Sequence, residues 1–132
     1  MKITVVWDNT EQTLIRFDFN GRWSFDDFFE ATRTAHGMIE ARTHQKPVAT
    51  LLNFNKYPVT TGNLISFAQR GIAHKHAQTA VVILVTENSF IEAIRKTLVK
   101  VYPTVGSSFL QANTLDQGRI VALQHLANLQ TG

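Results

Sequence analysis

Cysteine is absent from the 132-residue sequence, which excludes a disulfide framework and any thiolate-based catalytic or metal site. Long hydrophobic runs are missing as well, because the longest wholly apolar stretch covers only the six residues 80–85. Such a run suits a buried strand, whereas a membrane-spanning helix needs about twenty residues. The acidic residue Asp8 comes too early for a signal peptide, so we expect a cytoplasmic protein without a membrane span.

Glycine-rich signatures are also missing. No segment matches a P-loop, a dinucleotide-binding fingerprint or the Gly-x-Ser-x-Gly nucleophile elbow. The neighbouring carboxylates Asp26 and Asp27 point apart on a helix and make a poor acid–base pair, whereas the helix dipole explains their position in a first turn. Since the chain carries no catalytic signature, we predict a non-enzymatic domain without a cofactor.

Acidic residues are absent from residues 41–86, which hold five Lys/Arg, whereas residues 1–40 hold four basic and seven acidic side chains. A basic surface favours anionic partners, including acidic proteins, phosphates and nucleic acid. Nucleic-acid binding is not predicted, because it needs exposed aromatic rings on a sheet whose faces are here committed to helices. A solvated basic face without a partner is the favoured explanation of this charge, since five charges over 46 residues are sparse, and an acidic protein partner is the alternative.

Hydrophobic periodicity predicts one α/β domain over residues 1–132 with the element order β-β-α-β-α-β-α-β-α. Two strands over 3–7 and 13–19 flank a polar turn and form an antiparallel hairpin. Three further strands, over 48–52, 79–86 and 107–111, are separated by helices and must therefore be parallel. The predicted fold class is a single mixed β-sheet with four helices packed on it.

Capping residues and apolar periodicity predict where the first and last helices begin and which of their faces are buried. Ser24 and Asp27 form a capping-box-like start of the first helix, and Thr114 caps the last one. The predicted buried face of the first helix consists of Phe25, Phe28, Phe29, Thr32, Ala35, His36 and Ile39. That of the last helix consists of Ile120, Leu123, Leu126 and Ala127. His36 is interpreted as structural.

The histidine pair at His74 and His76 is the remaining candidate for a metal site. Two residues apart on a helix, the side chains point about 200° away from each other, so they cannot share one ion from a regular helix. A helix C-terminus favours protonated histidine and lysine, which explains the pair without a metal. No metal site is predicted.

Three features of the chain occur together: the element order, the helix start Gly21-Arg22-Trp23-Ser24-Phe25-Asp26-Asp27, and the helical stretch from Arg95-Lys96-Thr97-Leu98 to Tyr102. In this combination the chain resembles the STAS fold, and within it the SpoIIAA-like proteins, small bacterial domains related to anti-sigma-factor antagonists. The resemblance covers nearly the whole chain. It implies a regulatory module that acts by binding a protein partner.

The resemblance also bears on the helix start after the third strand. In the antagonists an Asp-Ser-Ser-Gly motif holds a serine that a partner kinase phosphorylates, and Val59-Thr60-Thr61-Gly62 occupies the matching place. Thr60 falls on the phosphorylated serine and Thr61 on the next, whereas Val59 replaces the acid. A hydroxyl at a helix N-terminus can bear a phosphate that changes docking, but a simple helix cap at Thr61 explains the same residues.

Ligands and partners of open α/β sheets bind in the crevice outside the carboxyl ends of the strands. We therefore predict partner docking at residues 53–62 and the following helix, through Asn55, Lys56, Tyr57, Val59, Gly62 and Asn63. SpoIIAA-like proteins also look similar to lipid-transfer domains, which gives an alternative: an apolar small molecule held between helices and sheet. That pocket would be lined by Phe25, Phe28, Phe54 and Phe67, and the same rings could equally fill the space. Amphipathic helix surfaces can also support a homodimer, on a face that the sequence does not identify.

Overall fold

The computed structural model describes residues 2–55, 76–86 and 109–131, which form five strands and two helices. In chain order these are β1 (Ile3–Trp7), β2 (Leu14–Phe19), α1 (Phe25–Glu40), β3 (Val48–Asn53), β4 (Thr79–Val85), β5 (Phe109–Ala112) and α2 (Leu115–Thr131). The α/β class is confirmed. Local hydrophobic periodicity was sufficient to find each of these elements.

The five strands form one mixed sheet in the order β1-β2-β3-β4-β5. β1 and β2 are antiparallel, with Ile3 opposite Phe19. The pairs β2–β3, β3–β4 and β4–β5 are parallel. The prediction that only the opening hairpin is antiparallel is therefore confirmed for the described strands.

The described elements follow the order β-β-α-β-β-β-α, which differs from the predicted order by two helices. These two helices were predicted over residues 62–75 and 89–102, and both lie outside the described residues. The coarse architecture, a mixed sheet with helices packed on it, is thus established without the finer STAS assignment.

Each face of the sheet carries its own apolar core. On the α1 side, the rings of Phe17, Phe19, Phe28 and Phe54 pack with aliphatic residues of β3 and β4. On the α2 side, Leu14, Leu51, Ile83 and Leu126 belong to a second cluster. Every residue of β3 is buried, because alternate side chains of a strand point to opposite faces and both faces are covered.

Helix α1 begins with the predicted capping box. The Ser24 hydroxyl accepts the backbone N–H of Asp27 at 3.2 Å, and the Asp27 carboxylate accepts the N–H of Ser24 at 2.9 Å. These hydrogen bonds, and the nearby Lys2, lower the pKa of Asp27 against the opposing effect of desolvation. The predicted buried face is confirmed at Phe28, Thr32, Ala35 and Ile39, with Ala31 added to it.

Helix α2 begins with the predicted cap, since the Thr114 hydroxyl accepts the N–H of Gln117 at 3.1 Å. Its predicted buried face, however, is wrong except at Leu126. Ile120 and Leu123 are 57% and 49% exposed, and Ala127 is exposed as well, whereas Gly118, Ala122 and Leu126 face the sheet. Small residues at this spacing let the helix approach the strands closely, so the bulkier apolar residues point away.

Within the described ranges, no helical segment combines the length and hydrophobicity that a membrane crossing requires.

Replacing Gly118 by valine is expected to destabilise the fold by about 1–3 kcal/mol, because the packing under α2 has no room for a side chain. A Cβ atom at this position would lie 3.0 Å from Cγ2 of Val85, which is fully buried. The matched control is Gly37→Val in α1, where a Cβ would meet nothing within 4 Å. Urea denaturation should show the control to be neutral or slightly stabilised, since valine is the better helix former. Equal stability of the two variants would contradict the close approach of α2.

Candidate functional site

The parallel strands end along one edge of the sheet, and polar side chains collect there. Asp18 of β2 lies opposite Asn53 of β3, and Asn53 lies opposite Val85 of β4. The next residue, Thr86, is buried, and its backbone N–H donates to the carbonyl of Ala112 in β5 at 2.9 Å. The loop predicted to carry the site therefore starts where expected, at the carboxyl end of β3.

Side-chain amides connect these strand ends. Asn53 donates from Nδ2 to Oδ1 of Asp18 at 2.9 Å, and its own Oδ1 accepts the backbone N–H of Asn55 at 3.2 Å. Asn55 in turn donates from Nδ2 to the carbonyl of Asn113, the residue after β5, at 3.3 Å. Gln111 of β5 donates to Oδ1 of Asn113 at 2.9 Å. These contacts hold the first residues of the loop against β2 and against the end of β5.

A cluster of four charged side chains continues this network on the α2 side of the sheet. Oδ1 of Asp8 accepts from Arg16 Nη1 at 2.6 Å and from Arg119 Nη2 at 2.9 Å, and Oδ2 accepts from Arg119 Nε at 2.7 Å. Arg16 also donates from Nε to Asp18 at 3.0 Å. Asp18 is thus shared between Arg16 and Asn53. The Asp8 side chain is only 1% exposed, so its charge depends on these donors.

The two arginines determine the protonation state of Asp8. Burial by itself raises the pKa of this carboxyl, but the hydrogen bonds and charges of Arg119 and Arg16 outweigh burial, and the pKa lies below its ordinary value. The hydrogen bond to Asp8 likewise raises the pKa of Arg119, against the lowering effect of burial. Asp8, Asp18, Arg16 and Arg119 join the β1–β2 hairpin to α2, and the exposed Asp116 adds a third carboxylate on Arg119.

One of the residues predicted to bind a partner lies in the described ranges. Asn55 is described, and it is exposed at the edge formed by the strand ends. The other predicted contacts, Lys56, Tyr57, Val59, Gly62 and Asn63, lie outside the described residues, as do Thr60 and Thr61. Their roles stay predictions.

Three of the four aromatic residues predicted to line a ligand pocket lie in the described ranges. Phe28 and Phe54 are buried, and Phe25 packs against the same cluster between the sheet and α1. The ring centroids of Phe54 and Phe19 are 4.4 Å apart. Phe67 lies outside the described residues. The described rings thus belong to the core, and their contact with a ligand stays a prediction.

His36 and His76 take part in structural contacts. No group of three or more His, Asp or Glu side chains in these ranges could hold a metal ion. Nε2 of His76 lies 2.8 Å from Oε1 of Glu40, and its ring packs edge-on against His36 with centroids 5.1 Å apart. Nδ1 of His76 accepts the N–H of Gln78, so in the neutral ring Nε2 carries the proton. Both ring nitrogens are therefore engaged, and the contact connects α1 to the start of β4. His74 lies outside the described residues.

Sequence reasoning missed the charged cluster. Alternation in β2 predicts a polar face at Leu14, Arg16 and Asp18, but does not predict that this face is covered. In the structure Asp18 is buried and Arg16 is half-buried. Arg119 and Asp8 lie 111 positions apart in the chain, and no local pattern connects them.

Comparison of the chain with family models, with curated proteins and with solved structures finds no significant match. The resemblance to STAS and SpoIIAA-like domains therefore stays a prediction.

Proposed function

We propose that this protein is a non-enzymatic regulatory module that binds a protein partner at the carboxyl edge of its sheet. The observation that carries the proposal is the amide network, in which Asn53 bonds Asp18 and Asn55 bonds Asn113. It fixes the first residues of the loop to rigid strand ends. Because residues 53–55 are held in place before binding, they lose less conformational entropy when a partner docks, so more of the contact energy appears as affinity.

The charge distribution supports an acidic partner. The ionised side chains behind the edge are paired with one another, Asp8 with Arg16 and Arg119, and Asp18 with Arg16. Segment 41–86 contains no acidic residue, and its basic residue closest in sequence to the edge is Lys56. Lys56 directly follows Asn55. We assign to it the attraction of an acidic partner surface.

The regulatory part of the proposal concerns Thr60. Phosphorylation would add a charge of about −1.5 to −2 to the docking loop. If the partner is acidic, this charge repels it and weakens binding. The supporting observation is the position of the paired threonines in the chain, shortly after the network-bound Asn55.

Pull-down from a lysate of the source cells, read out by quantitative mass spectrometry, tests the proposal. The bait variants Lys56→Glu and Thr60→Asp are expected to retain less than about one fifth of a specifically captured partner, a loss of about 1 kcal/mol or more that is typical of interface charges. Asn55→Asp is expected to act in the same direction, because it removes the donor to Asn113 and adds a negative charge.

The matched control is Arg33→Glu, which reverses an exposed charge on α1 away from the carboxyl edge. This variant should capture the partner as well as the unmodified protein. If Lys56→Glu, Thr60→Asp and Arg33→Glu all capture the same proteins in equal amounts, the docking site lies elsewhere. Circular dichroism of each bait confirms that the fold is kept.

A further inference from the structure

Helix α2 presents an exposed apolar stripe that its own packing does not use. Ile120, Leu123 and Leu129 are the large hydrophobic residues exposed in the described part of the chain, at 57%, 49% and 49%. Ile120, Leu123 and Ala127 follow each other at spacings of three and four, so they share one side of the helix. We call these three residues the α2 stripe. On the surface of the helix, the α2 stripe lies next to the residues that face the sheet.

A groove adjoins the stripe at the amino ends of the parallel strands. Leu123, Leu126 and Ala127 line it from α2, and Pro47 lines it from the segment before β3. Its volume is about 210 Å³. Pockets that hold drug-sized ligands are larger, at about 300–1,000 Å³, so the groove is of a size to receive an apolar side chain of a docking protein.

The charges around the stripe and groove favour a second copy of this chain as the occupant. Residues 120–131 contain no Asp, Glu, Lys or Arg, so two such faces meet without repulsion. Glu11 and Lys46 both border the groove and have opposite signs. A strongly acidic or basic partner gains nothing from this pair, whereas a two-fold axis through the groove can bring Glu11 of each copy opposite Lys46 of the other.

We propose that the α2 stripe and the groove form the interface of a symmetric homodimer, in which Leu123 of each copy enters the groove of the other. The same patch serves both subunits, as a two-fold interface requires. This inference goes beyond the proposed function and does not depend on it. The groove lies at the amino ends of the strands, so dimerisation leaves the carboxyl edge of each subunit accessible.

Sedimentation equilibrium of the full chain over a wide concentration range tests the proposal. The unmodified protein is expected to form a concentration-dependent dimer. Leu123→Glu should raise the dimer dissociation constant at least about tenfold, because it buries an unpaired charge at the centre of the interface. Thr34→Glu, which adds the same charge to an exposed position on α1 across the sheet, should leave the constant unchanged. A monomer at all concentrations, or a dimer insensitive to Leu123→Glu, overturns the proposal.

A charge swap tests the two-fold geometry separately. Glu11→Lys and Lys46→Glu are each expected to weaken self-association, since each places like charges opposite one another. Mixing the two single variants should restore dimers, because every cross-interface pair is then of opposite sign. The double variant Glu11→Lys/Lys46→Glu should also dimerise. If the mixture associates no better than the separate variants, the proposed pairing is wrong.

Discussion

Replacing Phe54 by alanine is expected to lower the free energy of unfolding by about 3–5 kcal/mol, the cost of truncating a phenylalanine in a well-packed core. The residue is 1% exposed, and its ring lies 4.4 Å from that of Phe19. Its backbone N–H donates to the carbonyl of Val85 at 3.0 Å, which fixes its place after β3. Because the surrounding rings and strands cannot move far, most of the cavity would remain empty. Urea denaturation at neutral pH measures the change.

The control for Phe54 is Phe25→Ala. Phe25 is only half-buried, so its truncation should cost clearly less. A loss below about 1 kcal/mol for Phe54→Ala would contradict its place in the core. That outcome, together with an apolar molecule that co-purifies and is seen by native mass spectrometry, would favour the alternative of a small-ligand carrier.

Replacing Asp8 by asparagine is expected to destabilise the protein by about 2–3 kcal/mol at neutral pH. Removing one partner of a buried ion pair costs up to about 5 kcal/mol when the remaining charges stay buried. Here Arg16 and Arg119 retain side-chain exposures of 24% and 36%, so water can partly solvate them and the expected cost is smaller. The same urea titration measures this loss.

The contribution of Asp8 should also depend on pH. Its pKa is lower in the folded state than in the unfolded chain, because Arg119 and Arg16 outweigh the opposing effect of burial. The contribution is therefore complete above the unfolded pKa of about 3.9 and is lost as the pH falls through the folded pKa. Unfolding free energies of the unmodified protein and of Asp8→Asn should differ fully at pH 7 and converge as the pH falls below about 4.

Asp116→Asn is the matched control for Asp8→Asn. Asp116 bonds the same arginine, with Nη1 of Arg119 at 2.9 Å, but its side chain is 90% exposed. Exposed ion pairs contribute little, so we expect a change below about 1 kcal/mol. If Asp116→Asn is as destabilising as Asp8→Asn, the burial of the cluster is not the source of its stability.

Local sequence patterns were sufficient for the elements and for several of their ends. Three of these patterns involve residues within a few positions of one another. They are the alternation of buried and polar residues in β2, the capping box at Ser24 and Asp27, and the cap at Thr114. The parallel pairing was predicted because strands with a helix predicted between them require crossovers. The alternation in β2 and the helix caps are decided by short-range sterics and hydrogen bonds, so the sequence alone predicts them.

The orientation of α2 depended on tertiary structure. Apolar periodicity selected Ile120 and Leu123 as buried, but the helix packs through Gly118 and Ala122 instead. Hydrophobicity ranks these small residues lower, whereas the sheet accepts them because they allow a close approach to Val85. The exposed α2 stripe, and the dimer inferred from it, follow from this difference.

The candidate site also has one part that the sequence predicted and one part that depended on the tertiary structure. The sequence by itself predicted a polar loop after the third strand, and its first residues, 53–55, lie at the carboxyl end of β3. Only the tertiary structure decided what fixes these residues: Asn53 on Asp18, Asn55 on Asn113, and the ion pairs behind them. The physical reason is distance along the chain, since the partners of these bonds are 35, 58 and up to 111 positions apart and meet only when the sheet and α2 assemble.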